Sequence, residues 1–330
     1  MAVTANTNET YDVSTIREDL SEAMASITPT ETLLMSTIGT RNVDNTFFEW
    51  SEVDLAATGA NRQIEGDVGL SNTAPTNAVR KGGYTQISAK VVEVSSTNQA
   101  VNGVANAQTV AKQVAYKLSE LKRDMEAMLL SNVAANAGAS GTARATAGLP
   151  AYLTSNVSRG ASGANGTTSG SGESGFVNAA ATDGTLRPIT EALLKGVIAD
   201  CWNAGATPTI VMCGSAQKQK ISTFTGNATK FQDVDAKKLT AAVDIYISDF
   251  GSLEIVPNRH MRVRTVSSVD YTPDVLVLDP SYAEVAYLQT AKQEALAKTG
   301  LSERRLISCE YGLQVTSQKA HGIIADINAS

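Results

Sequence analysis

Two short alternating segments, FFEWSEVD from Phe47 and YTQISAKVVEVSS from Tyr84, bracket residues 55–83, a stretch with no apolar periodicity. On extended strands Phe48 and Trp50 share one face, and Ile87, Ala89 and Val91 share another. The residues between them are rich in Gly, Asn, Ala and Thr. A loop of that length inside a compact domain is uncommon, and is usually functional or disordered. The pattern predicts a long hairpin projecting from a folded body.

That body has ample material. The chain has 330 residues, 42% of them hydrophobic, enough for one large domain or two ordinary ones. Only 5% are aromatic, so small and β-branched side chains must fill much of the core, which favours sheet-rich packing. The strongest helix signal runs over 106–132, where Val110, Val114, Leu118, Leu121, Met125 and Leu129 step by three or four. Asn106 is the expected N-cap, and the charged residues between Lys117 and Glu126 are expected on the opposite face. Such a helix is about 40 Å long and can act as a spine.

Before the hairpin, Ile16, Leu20, Met24 and Ile27 mark a short helix, and TPTETLLMSTIG adds a turn at Pro29 and the apolar Leu33, Leu34 and Ile38. So polar a segment with so narrow a stripe reads as an arm lying on something else. After the spine, 155–175 is almost wholly Ser, Gly, Asn, Thr and Ala, the composition of a mobile surface loop. A mixed block follows: a helix opened by Pro188 with Ile189, Leu193, Val197 and Cys201 on one stripe, the strand TIVMC, and a helix over 216–224 capped by Ser215. A hairpin, VDIYISDFGSLEIVP, turns at Gly251. DVLVLD, AEVAYLQ, RLISCEYGLQVT and HGIIADI supply further strands; in the third, Ile307, Cys309, Tyr311, Leu313 and Val315 alternate with Ser308, Glu310 and Gln314.

Few residues point to chemistry. GSGESG at 170–175 has the G-x-G-x-x-G spacing, but neither a strand before it nor a helix after it to make a phosphate cradle. His260 and His321 have no partner at ligand spacing, and DVD at 233–235 lacks the Gly and Glu of a calcium loop. Lys81 and Lys90 flank the hairpin, but an isopeptide bond to an asparagine needs a buried general base that the sequence does not identify, so both read as solvated lysines. Asn156, Asn165 and Asn227 lie in sequons that composition alone explains. No catalytic, cofactor-binding or metal-ligating residue is assigned, no cofactor is expected, and the chain is not expected to be an enzyme.

The net charge of −6 lacks the footprint of a dedicated nucleic-acid binder, leaving only unspecific contact from an assembled surface. Cys201, Cys213 and Cys309 sit apart in apolar stretches and read as buried free thiols in a reducing compartment. The opening MAVTANTNETYDV has no secretory pattern and no apolar run is long enough to span a bilayer, so synthesis in the cytosol without membrane insertion is expected.

The order of arm, projecting hairpin, long helix, mixed α/β block and returning strands resembles the major capsid proteins of tailed bacteriophages, with their α+β Hong Kong 97-type fold. TPTETLLMSTIG resembles that family's hydrophobic hook, and LAKTG at 296–300, DFG at 249–251 and YGLQV carry a likeness to one subfamily of phage head proteins. The resemblance implies an N-terminal arm at 1–45, an extended loop at 46–96, a peripheral domain at 97–185 with the Gly/Ser stretch inserted, an axial domain at 186–280, and a return to the peripheral domain at 281–330. It also implies pentamers and hexamers closing an icosahedral head around double-stranded DNA touched without sequence preference. Scaffold, portal and decoration proteins are the implied further partners. Assembly would occur in the host bacterial cytoplasm, and the mature location would be the virion. On this reading Phe48, Trp50, Leu33 and Leu34 find no cover within one subunit and lie across neighbours. The alternatives are an encapsulin-like nanocompartment shell and an enzyme with an unrecognised carboxylate pair.

Overall fold

Strand Ser302–Val315 organises the first of two principal sheets. The sheet runs Gly39–Asn42, Ala283–Ala295, Ser302–Val315, Gln86–Ser95, with the first pair parallel and the others antiparallel. The computed structural model describes residues 28–62, 65–66, 75–101, 109–169, 175–224, 245–298 and 300–328. Ile307, Cys309, Tyr311, Leu313 and Val315 are buried together, as their alternation predicts. The long helix Val110–Leu129 packs Leu121, Met125 and Leu129 into the same core.

That helix is shorter than its periodicity predicts. It has 20 residues and so a length of about 30 Å. Thr109 caps it, its side chain accepting from the Lys112 N–H at 3.4 Å. Asn106, the expected cap, and GSGESG up to residue 174 lie outside the described residues, as do the predicted helix before residue 28, DVD at 233–235 and Asn227.

Strand Gln86–Ser95 turns its apolar residues the less expected way. Val92 and Val94 are buried, whereas Ile87 is 61% exposed and Val91 is also exposed. The register with Ser302–Val315 decides this: Lys90 lies opposite the buried Ile307 and Ser88 opposite the buried Cys309, so Ile87, Ala89 and Val91 take the outer face.

The second sheet runs Val157–Ser158, Gly322–Ile324, Val275–Leu278, Ile210–Cys213, Gly251–Pro257, Ile245–Ser248. Its central strands read as unbroken apolar runs because both faces are covered. Leu276, Leu278, Met212 and Ile323 belong to the core of the first sheet. Val275, Val277, Val211 and Ile324 belong to a second core, with Leu194, Val197, Ile198 and Cys201 of helix Glu191–Asn203. That helix is capped by Thr190 rather than opened at Pro188, and helix Ser215–Ile221 includes the residue expected to cap it. The hairpin turn at Gly251 forms as expected, with φ +143°.

The Gly/Ser-rich stretch is not a free loop over 155–169. Val157–Ser158 pairs in parallel with Gly322–Ile324, and Thr167–Thr168 pairs with Val177–Ala179. The Asn156 amide donates to the Lys319 and His321 carbonyls at 2.7 and 3.1 Å. Polar side chains and backbone bonds, rather than apolar burial, order this segment.

Candidate functional site: an anchored hairpin

The hairpin begins as strands Phe47–Glu52 and Val79–Tyr84, paired antiparallel. Contrary to the expectation from sequence, its aromatic residues are covered by their own subunit: Phe48 is 5% exposed and Trp50 8%. Phe48 lies against Gly312 of the first sheet, where a Cβ atom would fall 2.7 Å from the Phe48 ring. Trp50 faces Tyr152 with ring centroids 6.5 Å apart, and the Tyr152 hydroxyl donates to the Leu313 carbonyl at 3.1 Å. Phe47, Tyr84 and Phe176 form a second aromatic group, with centroids 4.8 and 5.1 Å apart along the chain of contacts.

Backbone pairing reinforces the base. Gly175, at φ +85°, donates from its N–H to the Arg80 carbonyl and accepts from the Gly82 N–H. Lys81 is buried rather than solvated, and forms an ion pair with Glu52. Beyond this base the chain changes character. Residues 53–62 and 75–78 are exposed and carry no regular structure, and Leu55 is 85% exposed.

The described part of the segment expected to be an arm is likewise seated on its own chain. Leu34, in helix Leu33–Thr37, is fully buried against the spine. Glu126, expected on the solvent face of the spine, is itself fully buried and accepts from the Leu34 and Met35 N–H groups at 2.6 and 3.0 Å. It thereby satisfies donors at the start of a helix whose own N-cap, Thr32, makes no side-chain bond. The burial of Glu126 follows from the Leu33–Thr37 helix packed over it, a contact across 91 and 92 residues that no local motif marks.

A second buried carboxylate gathers the chain at the other end. Asp326 accepts from the Gly160 and Gly184 N–H groups at 3.0 and 2.8 Å and from Arg264 at 2.9 Å. Arg262 bridges Asp183 and Asp274, each at 2.8 Å. This network ties the Gly/Ser-rich segment to the chain's last turn. Nothing in its local sequence announces it, because its members come from four separate segments.

The remaining sequence candidates are structural. Cys201, Cys213 and Cys309 are free and buried, as expected, and burial pushes their thiols up to about 12, 12 and 11. Lys90 pairs with Asp124 at 2.7 Å, and that hydrogen bond holds its ammonium above the ordinary lysine value. Asn165 accepts from Arg159 and donates to the Thr154 carbonyl. Among the described residues no cluster of His, Cys, Asp and Glu could hold a metal ion, and no helix is long and apolar enough to cross a membrane. His260 lies in a turn, its N–H donating to Asn258 at 2.8 Å.

His321 is buried, and burial lowers its imidazole to about 4. In the unfolded chain it takes a proton near 6.5, so between these values the unfolded state holds the extra proton. Its contribution to stability is therefore complete above pH 6.5 and is lost as pH falls towards 4. The loss attributable to this group is about 3 kcal/mol. Urea unfolding across that range should show a steeper acid loss for the wild type than for His321→Gln; equal slopes would refute the assignment.

A model of the SU10 major capsid protein family matches residues 3–328. The major capsid protein of Escherichia phage Phieco32 is 29% identical over 125 residues, 38% of this chain and 35% of that protein, so the match spans about a third of that relative's length. A solved chain from Mycobacterium phage Bobi has a TM-score of 0.61 at 12% identity, covering 97% of this chain and 98% of its own. A chain of the holo-SrpI encapsulin complex from Synechococcus elongatus has a TM-score of 0.52 at 11% identity, covering 96% and 94%. At such identities the likeness establishes the fold, the α+β architecture of Hong Kong 97-type shells. The family match runs almost from end to end, and the chain belongs to the SU10 major capsid protein family, whose members are structural shell proteins rather than enzymes.

Proposed function

We propose that this chain builds the icosahedral head of a bacteriophage, and that its hairpin is the part that reaches a neighbouring copy. The observation that carries this reading is the contrast along the hairpin. Its base is locked to its own subunit by Phe48, Trp50 and the Lys81–Glu52 pair, while residues 53–62 run exposed with Leu55 uncovered. A rigid base with an exposed stretch directly beyond it is suited to contact between subunits. Burial at about 25 cal/mol per Å², repeated over every contact, would hold such a shell together.

On this reading 1–45 is the arm, 46–96 the extended loop, 97–185 and 281–330 the peripheral domain, and 186–280 the axial domain. Pentamers and hexamers close around double-stranded DNA, which a chain of net charge −6 touches without sequence preference. Scaffold, portal and decoration proteins complete the proposed set of partners. The encapsulin likeness supports the fold, while the family match favours a phage head over a nanocompartment.

Leu55→Asp tests the role of the exposed stretch beyond the base. Because Leu55 touches little in its own subunit, the unfolding free energy of the unassembled chain should change by no more than about 0.5 kcal/mol. Closed shells, counted by electron microscopy after sizing chromatography, should disappear. Shells at wild-type yield would refute the contact.

A further inference from the structure

The Glu126 carboxylate joins three parts of the chain that are distant in sequence. Its Oε1 accepts from the Leu34 N–H at 2.6 Å and from the Asn258 amide at 2.8 Å, and its Oε2 accepts from the Met35 N–H at 3.0 Å. It is fully buried, so these donors stand in place of water. Asn258 is held in turn: its N–H donates to the Cys213 carbonyl at 2.9 Å, and its side-chain oxygen accepts from the His260 N–H at 2.8 Å. Asn258 follows strand Gly251–Pro257 and thus marks where the second sheet meets the spine.

One oxygen is therefore shared between the arm and the second sheet. While the arm is seated, water is excluded and the bond to Asn258 forms in a dry setting, where it is strongest. If the arm leaves, water reaches Glu126 and competes for that bond. The dependence is reciprocal, because a coupling free energy acts equally in both directions.

We propose that Glu126 is a positioning residue that couples seating of the arm to placement of the 258–260 turn, so that arm release and a shift at that edge of the second sheet are one event. This does not rest on the assembly reading, since both partners belong to one subunit.

Hydrogen exchange on the unassembled full chain tests it, read at single amides for the wild type, Glu126→Gln and Asn258→Ala. Glu126→Gln should speed exchange at Leu34, Met35 and His260 by at least about tenfold, with the amides of the middle of helix Val110–Leu129 changing less than about twofold. Asn258→Ala leaves both arm bonds to Glu126 in place, yet it should speed Leu34 and Met35 several-fold. Arm exchange at the wild-type rate in Asn258→Ala would overturn the coupling. So would equal acceleration at all amides, which would make the pair a general support of the core. If Glu126→Gln does not fold, Asn258→Ala alone decides.

Discussion

Asp326→Ala is expected to cost the folded subunit about 3–5 kcal/mol, the range for breaking a buried charge pair on one side. The carboxylate is fully buried and holds Arg264, the Gly160 N–H and the Gly184 N–H. Its removal leaves two backbone donors without their acceptor and takes from Arg264 its nearer carboxylate, leaving the guanidinium with the Gly184 carbonyl at 2.9 Å and Asp183 at 3.7 Å. The backbone adds to the loss: Asp326 sits at φ +62°, a conformation that Asp and Asn tolerate better than Ala. Asp326→Asn keeps the backbone preference and one acceptor, and should lose roughly half as much. Urea unfolding of the unassembled chain measures both, and a loss below about 1 kcal/mol for the alanine variant would show that the network is dispensable.

Phe48→Ala should cost about 3–5 kcal/mol, and the loss should appear in the unassembled subunit. The ring fills the space left by Gly312 and lies beside Trp50 at a centroid distance of 6.0 Å. Gly312→Ala attacks the same contact from the other side, and the forced shift of the ring should cost about 1–3 kcal/mol. The comparison with Leu55→Asp separates the two halves of the hairpin. Changes at the base should register before assembly, and a change in the exposed stretch beyond it only during assembly. If Phe48→Ala lowers stability only in closed shells, the base is not anchored in its own subunit.

The elements themselves were largely legible. The alternation in RLISCEYGLQVT located the strand and one of its buried faces, because a strand's side chains repeat every second residue, but not that Glu310 and Gln314 on the other face are buried as well. The long helix was legible for the corresponding reason, although its start was not: Thr109 and Asn106 are comparable N-caps in isolation, and only the folded chain distinguishes them. The Gly/Ser-rich segment misled because composition measures apolar burial, whereas Asn156 and Asp326 order that segment through hydrogen bonds.

What the sequence determined by itself is therefore the set of local periods: which residues share a face and where turns fall. It did not show that the stretch read as loop from 55 to 83 ends in a strand, Val79–Tyr84, whose Lys81, Gly82 and Gly83 are buried. Tertiary structure decided what covers each face. Phe48 and Leu34 are buried at home rather than on a neighbour, Ile87 faces outward, and Glu126 and Asp326 are core residues. Periodicity says nothing about cover, because the covering groups arrive from remote parts of the chain. Glu126 meets Leu34 across 92 residues and Asp326 meets Gly160 across 166, distances over which no local pattern can select a partner.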